Sequence, residues 1–193
     1  AIGYQALYSN TTGEHNFAAD CHSLCTSVSG SHNVAIGKQS MLSNKGGCYN
    51  FASGQCALYS NTYGSHNQAI GLQALLCNTT GNTNIGIGRL AGSYNCTGSN
   101  NIALGDCSLK CNTSGSYNFA AGEKALYGGS GADGGCNTAI GNAAIYSNTT
   151  GSNNVAIGSV ALNANTVGNW NNAIGPSALR MNTAGCHNNA IGS

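Results

Sequence analysis

The sequence predicts an all-β protein, a parallel β-solenoid (β-roll or β-helix) in which each 17-residue repeat forms one coil. An Asn recurs before A-I-G-like tripeptides at intervals of 17 residues, apart from one interval of 19 between Asn118 and Asn137. The apolar runs are short, as in strands, and the repeat is shorter than the roughly 30 residues that a helical solenoid unit needs. One repeat alone buries very little, so copies must stack to build a shared core.

The repeat is described here in columns, with the recurrent Asn in column 17 and the residue after it in column 1. The consensus then reads x-A-I-G-x-x-A-L-x-x-N-T-T-G-S-x-N. Gly in columns 4 and 14 predicts corners of the coil, and the apolar residues predict two short strands, in columns 1–3 and 6–9. About eleven coils at a strand spacing of ~4.8 Å would make a rod on the order of 50 Å long.

The whole chain, residues 1–193, is predicted to form a single repeat domain. The chain starts and stops within a repeat, so we expect it to be a section of a longer solenoid. The coil of residues 119–137 is two residues longer than the others and reads G-G-S-G-A-D-G-G in place of N-T-T-G-S. Its extra residues should bulge outward at a corner, either as a tolerated surface insertion or as a functional loop.

Two apolar columns and one polar column are the candidate core. Column 3 predicts a buried stack of Ile36, Ile70, Ile87, Ile140, Ile157 and Ile174. Column 8 predicts a second buried stack of Leu58, Leu75, Leu109, Leu126, Leu162 and Leu179. Stacked side-chain amides can bond to one another along a pile of strands, so column 17 predicts an internal ladder of Asn16, Asn33, Asn50, Asn67, Asn84, Asn101, Asn118, Asn137, Asn154, Asn171 and Asn188.

The composition argues against several functional classes. Only 6% of the residues are charged and the net charge is +1, so there is no electrostatic footprint for nucleic acid or an anionic membrane. No apolar run is long enough to span a bilayer. The carboxylates are scattered, and only Asp106 and Glu123 share a column in adjacent coils, which we interpret as a solvated face. Without a catalytic motif, the sequence predicts a protein that is not an enzyme and needs no cofactor or metal.

Ten cysteines are unusual in a chain of 193 residues. No C-x-x-C pair suggests a metal site. Disulfides are the favoured interpretation, for example between Cys77 and Cys96 in successive coils, and the alternative is that the thiols act as small apolar fillers. The candidate disulfide cysteines are Cys21, Cys25, Cys48, Cys56, Cys77, Cys96, Cys107, Cys111, Cys136 and Cys186.

Two columns offer candidate surface sites. Column 11 contains every N-x-S/T sequon, so the possible N-glycosylation sites are Asn10, Asn78, Asn95, Asn112 and Asn148. Glycosylation requires that the turn faces solvent; the alternative for the column 11 Asn is an internal ladder like that of column 17. Column 16 contains an imidazole or an aromatic ring in several coils, which predicts a surface ladder of His15, His32, Tyr49, His66, Tyr117, Trp170 and His187. Such rings could stack against sugars.

The repeat units resemble those of known fibrous proteins. Segments such as N-N-V-A-I-G-S-V-A-L-N-A-N-T-V-G, from Asn153 to Gly168, are similar to repeats of large bacterial surface proteins and of phage tail-fibre-like proteins. They also resemble the V-A-I-G motif in the heads of trimeric autotransporter adhesins. That resemblance implies a left-handed β-roll that trimerises and takes part in adhesion, although the adhesin repeat is shorter and poor in cysteine.

These observations favour a structural, self-assembling extracellular fibre or adhesin segment on a cell surface, a secreted fibre or a virion. Its expected partner is itself, as an end-to-end filament or a homotrimer, because open strand edges promote further pairing. Two alternatives stay open. A low-charge, Thr-bearing solenoid could bind ice, and the column 16 rings could bind glycans.

Overall fold

The structure is a computed structural model that describes residues 1–129 and 131–193, and it confirms the predicted β-solenoid. Eleven three-residue strands lie side by side in one parallel sheet, in chain order. They are β1 (Phe17–Ala19), β2 (Val34–Ile36), β3 (Phe51–Ser53), β4 (Gln68–Ile70), β5 (Ile85–Ile87), β6 (Ile102–Leu104), β7 (Phe119–Ala121), β8 (Thr138–Ile140), β9 (Val155–Ile157), β10 (Asn172–Ile174) and β11 (Asn189–Ile191).

Every strand pairs column to column with the next. Phe17 lies opposite Val34, and the register continues to Ile174 opposite Ile191. The longer coil does not disturb it, since Phe119 of β7 still pairs with Thr138 of β8. The insertion therefore leaves the sheet register intact. The prediction that the extra residues bulge outward falls partly on Ser130, which lies outside the described residues.

The prediction that column 3 forms a buried isoleucine stack is wrong. Successive side chains of a strand point to opposite faces, and the inward position belongs to column 2, where Ala35, Ala69 and Ala156 are fully buried. Columns 1 and 3 consequently point outward. Ile36, Ile70, Ile87, Ile140 and Ile157 keep 37% to 40% of their surface exposed, and Ile174 is half-buried.

The strand predicted in columns 1–3 forms, but the second predicted strand, in columns 6–9, does not. This segment bends, because residues in columns 6 and 8 have positive φ between 47° and 60° in every coil. The left-handed residues allow two consecutive side chains, such as Ala74 and Leu75, to point into the core together, which a strand forbids. The column 8 stack itself lies inside as predicted: Leu58, Leu75, Leu109, Leu126 and Leu162 are buried, and Leu179 is half-buried.

Hydrogen bonds between coils continue through this bent segment. The Leu75 N–H donates to the Ala91 carbonyl of the following coil at 2.9 Å, and the Gln73 N–H donates to the Gln55 carbonyl of the preceding coil at 3.0 Å. At the next corner, column 4 glycines have φ between 114° and 137°, a region that side chains rarely adopt. Each coil is thus bonded to both neighbours around most of its circumference.

Candidate functional site

The column 17 asparagines form a continuous amide ladder inside the rod. Asn67 is typical: its N–H and its Nδ2 both donate to Oδ1 of Asn50, at 2.9 and 3.2 Å, and its Nδ2 also donates to the Gly81 carbonyl at 2.9 Å. Its own Oδ1 accepts the N–H of Asn84 at 2.9 Å. Equivalent backbone-to-side-chain bonds link the column from Asn16 to Asn188. The ladder fixes the register of the coils without any charged group.

Column 11 is a second internal ladder, which confirms one of the two predicted alternatives; the other, that its asparagines face solvent, is wrong. Nδ2 of Asn78 donates to Oδ1 of Asn61 at 2.8 Å and to the Gly81 carbonyl at 3.0 Å. The sequon residues Asn78, Asn95, Asn112 and Asn148 are at most 3% exposed, and Asn10 is half-buried. Glycosylation needs an accessible Nδ2, and the folded coils do not offer it at the four buried positions.

The column 11 ladder is interrupted at Ser27. Oγ of Ser27 and Oδ1 of Asn10 are both buried without a hydrogen-bond partner. Nδ2 of Asn44 donates to the Gly47 carbonyl at 3.0 Å but has no amide oxygen below it to bond. A serine is too short to join the amides above and below, so an unsatisfied gap is left inside the rod.

Replacing Ser27 by Asn is expected to complete the ladder and raise the free energy of unfolding by about 1 kcal/mol, since each net hydrogen bond contributes about that much. The new Nδ2 can donate to Asn10, and the new Oδ1 can accept from Asn44. The measurement is the thermal unfolding midpoint. Ser29→Asn, at an exposed position two residues away, is the matched control. An unchanged or lower midpoint for Ser27→Asn would contradict the gap.

The structure contains none of the predicted disulfides among its described residues. All ten cysteines lie within the described residues and are free thiols. Two of them take the place of serine in column 15, where a side chain accepts the N–H of the preceding coil: Sγ of Cys48 accepts from Ser31 and Sγ of Cys186 accepts from Asn169, both at 3.3 Å. Burial, together with the neighbouring Cys96, raises the pKa of the Cys77 thiol, which keeps it protonated near neutral pH.

The outer face of the sheet is a half-exposed, mainly apolar surface, interrupted by polar residues such as Gln68 and Asn172. It consists of columns 1 and 3 and includes Phe51, Ile70, Ile85 and Ile87 among its members. Between this face and the column 16 rings runs a shallow depression lined by His32, Tyr49 and Phe51. Sequence reasoning missed the face because it assigned the isoleucines to the core.

The column 16 rings stack on one another along the rod. The ring centroids of His15 and His32 are 4.9 Å apart, those of His32 and Tyr49 are 4.7 Å apart, and those of Tyr49 and His66 are 5.0 Å apart. Stacking places ring faces against ring faces and leaves mainly the ring edges towards solvent. A sugar that needs an open ring face therefore finds little of it along this part of the ladder.

The column 12 threonines use their hydroxyls within the rod. Oγ1 of Thr62 donates to the Thr79 carbonyl of the next coil at 3.0 Å, and Oγ1 of Thr149 donates to the Thr166 carbonyl at 2.9 Å. Hydroxyl protons bound in this way are not free to order water at the surface. Nothing in this column favours ice binding.

A groove of about 660 Å³ lies beside the longer coil. Four successive coils contribute to it, with the rings of Tyr94, Tyr127 and Tyr146 around a wall of glycines at positions 128, 129 and 131. Tyr127 and Tyr146 stack with centroids 5.0 Å apart. Nζ of Lys110 lies 5.4 Å from the Tyr127 centroid and 5.9 Å from the Tyr94 centroid.

Two Lys or Arg side chains lie beside carboxylates in the described part of the chain. Arg89 forms an ion pair with Asp106 at 2.8 Å, on a partly exposed surface, and Lys124 lies 3.4 Å from Glu123. Asp106 and Glu123, the two carboxylates that share a column in adjacent coils, thus each have a cation beside them. Asp133 accepts hydrogen bonds from the hydroxyls of Thr113 and Ser114, which lower the pKa of its carboxyl group.

In the part of the chain that the structure describes, no three His, Cys, Asp or Glu side chains come together as a potential metal site. Across residues 1–129 and 131–193 there is also no helix capable of crossing a bilayer. The chain matches no protein-family model, no curated protein and no solved structure at a significant level.

Proposed function

We propose that the chain is a structural, self-assembling segment of an extracellular fibre or adhesin, without catalytic activity. The observation that carries this proposal is the apolar outer face of the sheet, defined above by columns 1 and 3. Apolar side chains repeat along it from coil to coil, on a backbone that two amide ladders and in-register strands hold straight. A regular face on a rigid rod suits lateral contact with an identical rod.

The proposed occupant of this face is a second copy of the chain. Isoleucines such as Ile87 and Ile157 leave 40% and 38% of their surface exposed. Contiguous apolar surfaces of this kind mark sites of protein association. The face is almost free of charge, so covering it with another apolar surface costs little free energy of desolvation. The same face of a second copy is such a surface. The extracellular location and an adhesive role belong to the same proposal.

Light scattering and sedimentation velocity over a range of concentrations test the proposal. We expect the wild-type chain to have the mass of two or more copies. Ile87→Lys places a charge in the contact and should shift the equilibrium towards the monomer. Val167→Lys, at a position 45% exposed in column 13 and away from the sheet, is the matched control and should assemble like the wild type.

Two outcomes would count against this arrangement. A wild-type chain that stays monomeric at all concentrations contradicts self-assembly. Assembly that Ile87→Lys leaves intact contradicts the sheet face as the contact and favours end-to-end stacking, the other arrangement predicted from the repeat. Electron microscopy of the assembled wild type separates the two, because lateral contact widens the rods and end-to-end contact lengthens them.

A further inference from the structure

We propose that the groove beside the longer coil is a binding site for a neutral saccharide. This inference is independent of self-assembly, since it concerns a single corner of the rod rather than the sheet. The groove volume of about 660 Å³ falls within the range of ligand pockets, which is roughly 300 to 1,000 Å³. The site also differs from the column 16 ladder, where ring faces cover one another.

The aromatic contribution comes mainly from Tyr94. Tyr127 has one face against Tyr146, at 5.0 Å between centroids, and Lys110 approaches its ring at 5.4 Å. Tyr94 stacks with neither tyrosine and keeps 47% of its surface exposed, while Nζ of Lys110 lies over one face of its ring, 5.9 Å from the centroid. The face of an aromatic ring is negative, and the C–H bonds on one side of a sugar ring are apolar and weakly positive. Tyr94 can therefore act as a platform for one sugar unit.

The polar contribution comes from the groups around that platform. Nζ of Lys110 donates to the hydroxyl of Tyr127 at 3.4 Å, and both retain capacity for further hydrogen bonds. The hydroxyl of Thr113, which also lines the groove, donates to the carboxylate of Asp133 and can still accept a hydrogen bond. Ser147 and the tyrosines add further hydroxyls, which match those of a saccharide because both kinds donate and accept. The described residues that line the groove include no Lys, Arg, Asp or Glu, which favours a neutral ligand over an acidic one.

The longer coil creates the room for such a ligand. Its glycines carry no side chains into the groove, and a Cβ at Gly131 would meet no atom within 4 Å. In a coil of regular length, column 11 usually holds an Asn and column 12 usually a Thr, whereas Gly128 and Gly129 of the longer coil carry no side chain. The thiols of Cys96 and Cys111 complete the groove as small apolar surfaces.

Saturation-transfer NMR on the full chain tests the proposal, with cellobiose, lactose, maltose and diacetylchitobiose as probes. We expect transfer from the protein to ring protons of at least one sugar. Tyr94→Ala should abolish it, Tyr94→Phe should retain it because the ring face is kept, and Tyr127→Phe should weaken it by removing one hydroxyl. Tyr63→Ala, which removes a tyrosine 63% exposed outside the groove, should leave it unchanged.

Thermal unfolding of each variant shows whether the coils remain intact. Absence of transfer to all four sugars in the wild type would overturn the proposal, and so would transfer that persists in a folded Tyr94→Ala variant. Neither result would affect the assembly measured by light scattering. A monomeric chain that binds a sugar through Tyr94 would in turn support this site and contradict the proposed fibre.

Discussion

Replacing Gly47 by Ala is expected to lower the free energy of unfolding by about 3 kcal/mol or more, at the upper end of overpacking effects. A Cβ at this position would overlap the carbonyl oxygen of Gly64 in the next coil. It would also lie 2.6 Å from Oδ1 of Asn44 and 2.8 Å from Nδ2 of Asn61. The obstacles are backbone and buried amides of the column 11 ladder, which cannot move aside without separating two coils.

The neighbouring glycine provides the control. A Cβ at Gly46 would first meet the ring of Tyr63, at 3.2 Å, and that exposed ring can shift. Gly46→Ala should therefore change the free energy of unfolding by less than about 0.5 kcal/mol, as is usual for surface substitutions. Chemical denaturation of both variants makes the comparison. If Gly46→Ala and Gly47→Ala lowered the free energy of unfolding equally, the close approach between coils would not be the reason for glycine at position 47.

Replacing Asn67 by Asp should destabilise the rod by about 3 kcal/mol or more at neutral pH, because an unpaired charge is costly to bury. The substitution keeps the shape of the side chain but replaces Nδ2 by a second oxygen. That oxygen would face Oδ1 of Asn50 and the Gly81 carbonyl, both of which now accept bonds from Nδ2. Asn67 is fully buried, so solvent cannot compensate.

The loss should depend on pH. Burial raises the pKa of the new carboxyl in the folded state above its unfolded value of about 3.9. A protonated Asp can donate a hydrogen bond, so the stability is retained below about pH 4 and lost as the pH rises through the folded-state pKa. Unfolding midpoints at several pH values, relative to the wild type, measure this. Asn100→Asp, at an exposed site, should show no such trend, and a pH-independent deficit at Asn67 would contradict the mechanism.

The period of the repeat was sufficient to predict the solenoid, because a spacing of 17 residues repeated along the chain allows few other folds. It was insufficient to orient the side chains. Ile157 was assigned to the core for its hydrophobicity, yet a coil this small has room on its strand side only for Ala156. A signal was present, since column 2 is restricted to Ala or Gly while column 3 also accepts Ser53.

The bent segment could also have been recognised. Column 7 is Ala or Ser in every coil. The residue after it, in column 8, is large and apolar in every coil except the one that has Gly92 there. Two adjacent positions that both require burial are incompatible with a strand. The repeat already places Lys110, Tyr127 and Tyr146 in column 9 of three successive coils. The groove itself was beyond sequence reasoning, because part of its wall belongs to the inserted glycines, whose positions no periodicity specifies.

The strict coil-to-coil register has a mechanical consequence. Tension applied along the rod axis is carried by every junction between coils, and the junctions would break one at a time, since each coil is attached only to its two neighbours. A detached coil of 17 residues would lengthen the chain by roughly 50 to 55 Å, from its extended length less the coil spacing. Repeated equal steps of this kind dissipate mechanical work. The coil of residues 119–137 would yield a step about 7 Å longer, so its unfolding could be identified in a force–extension trace.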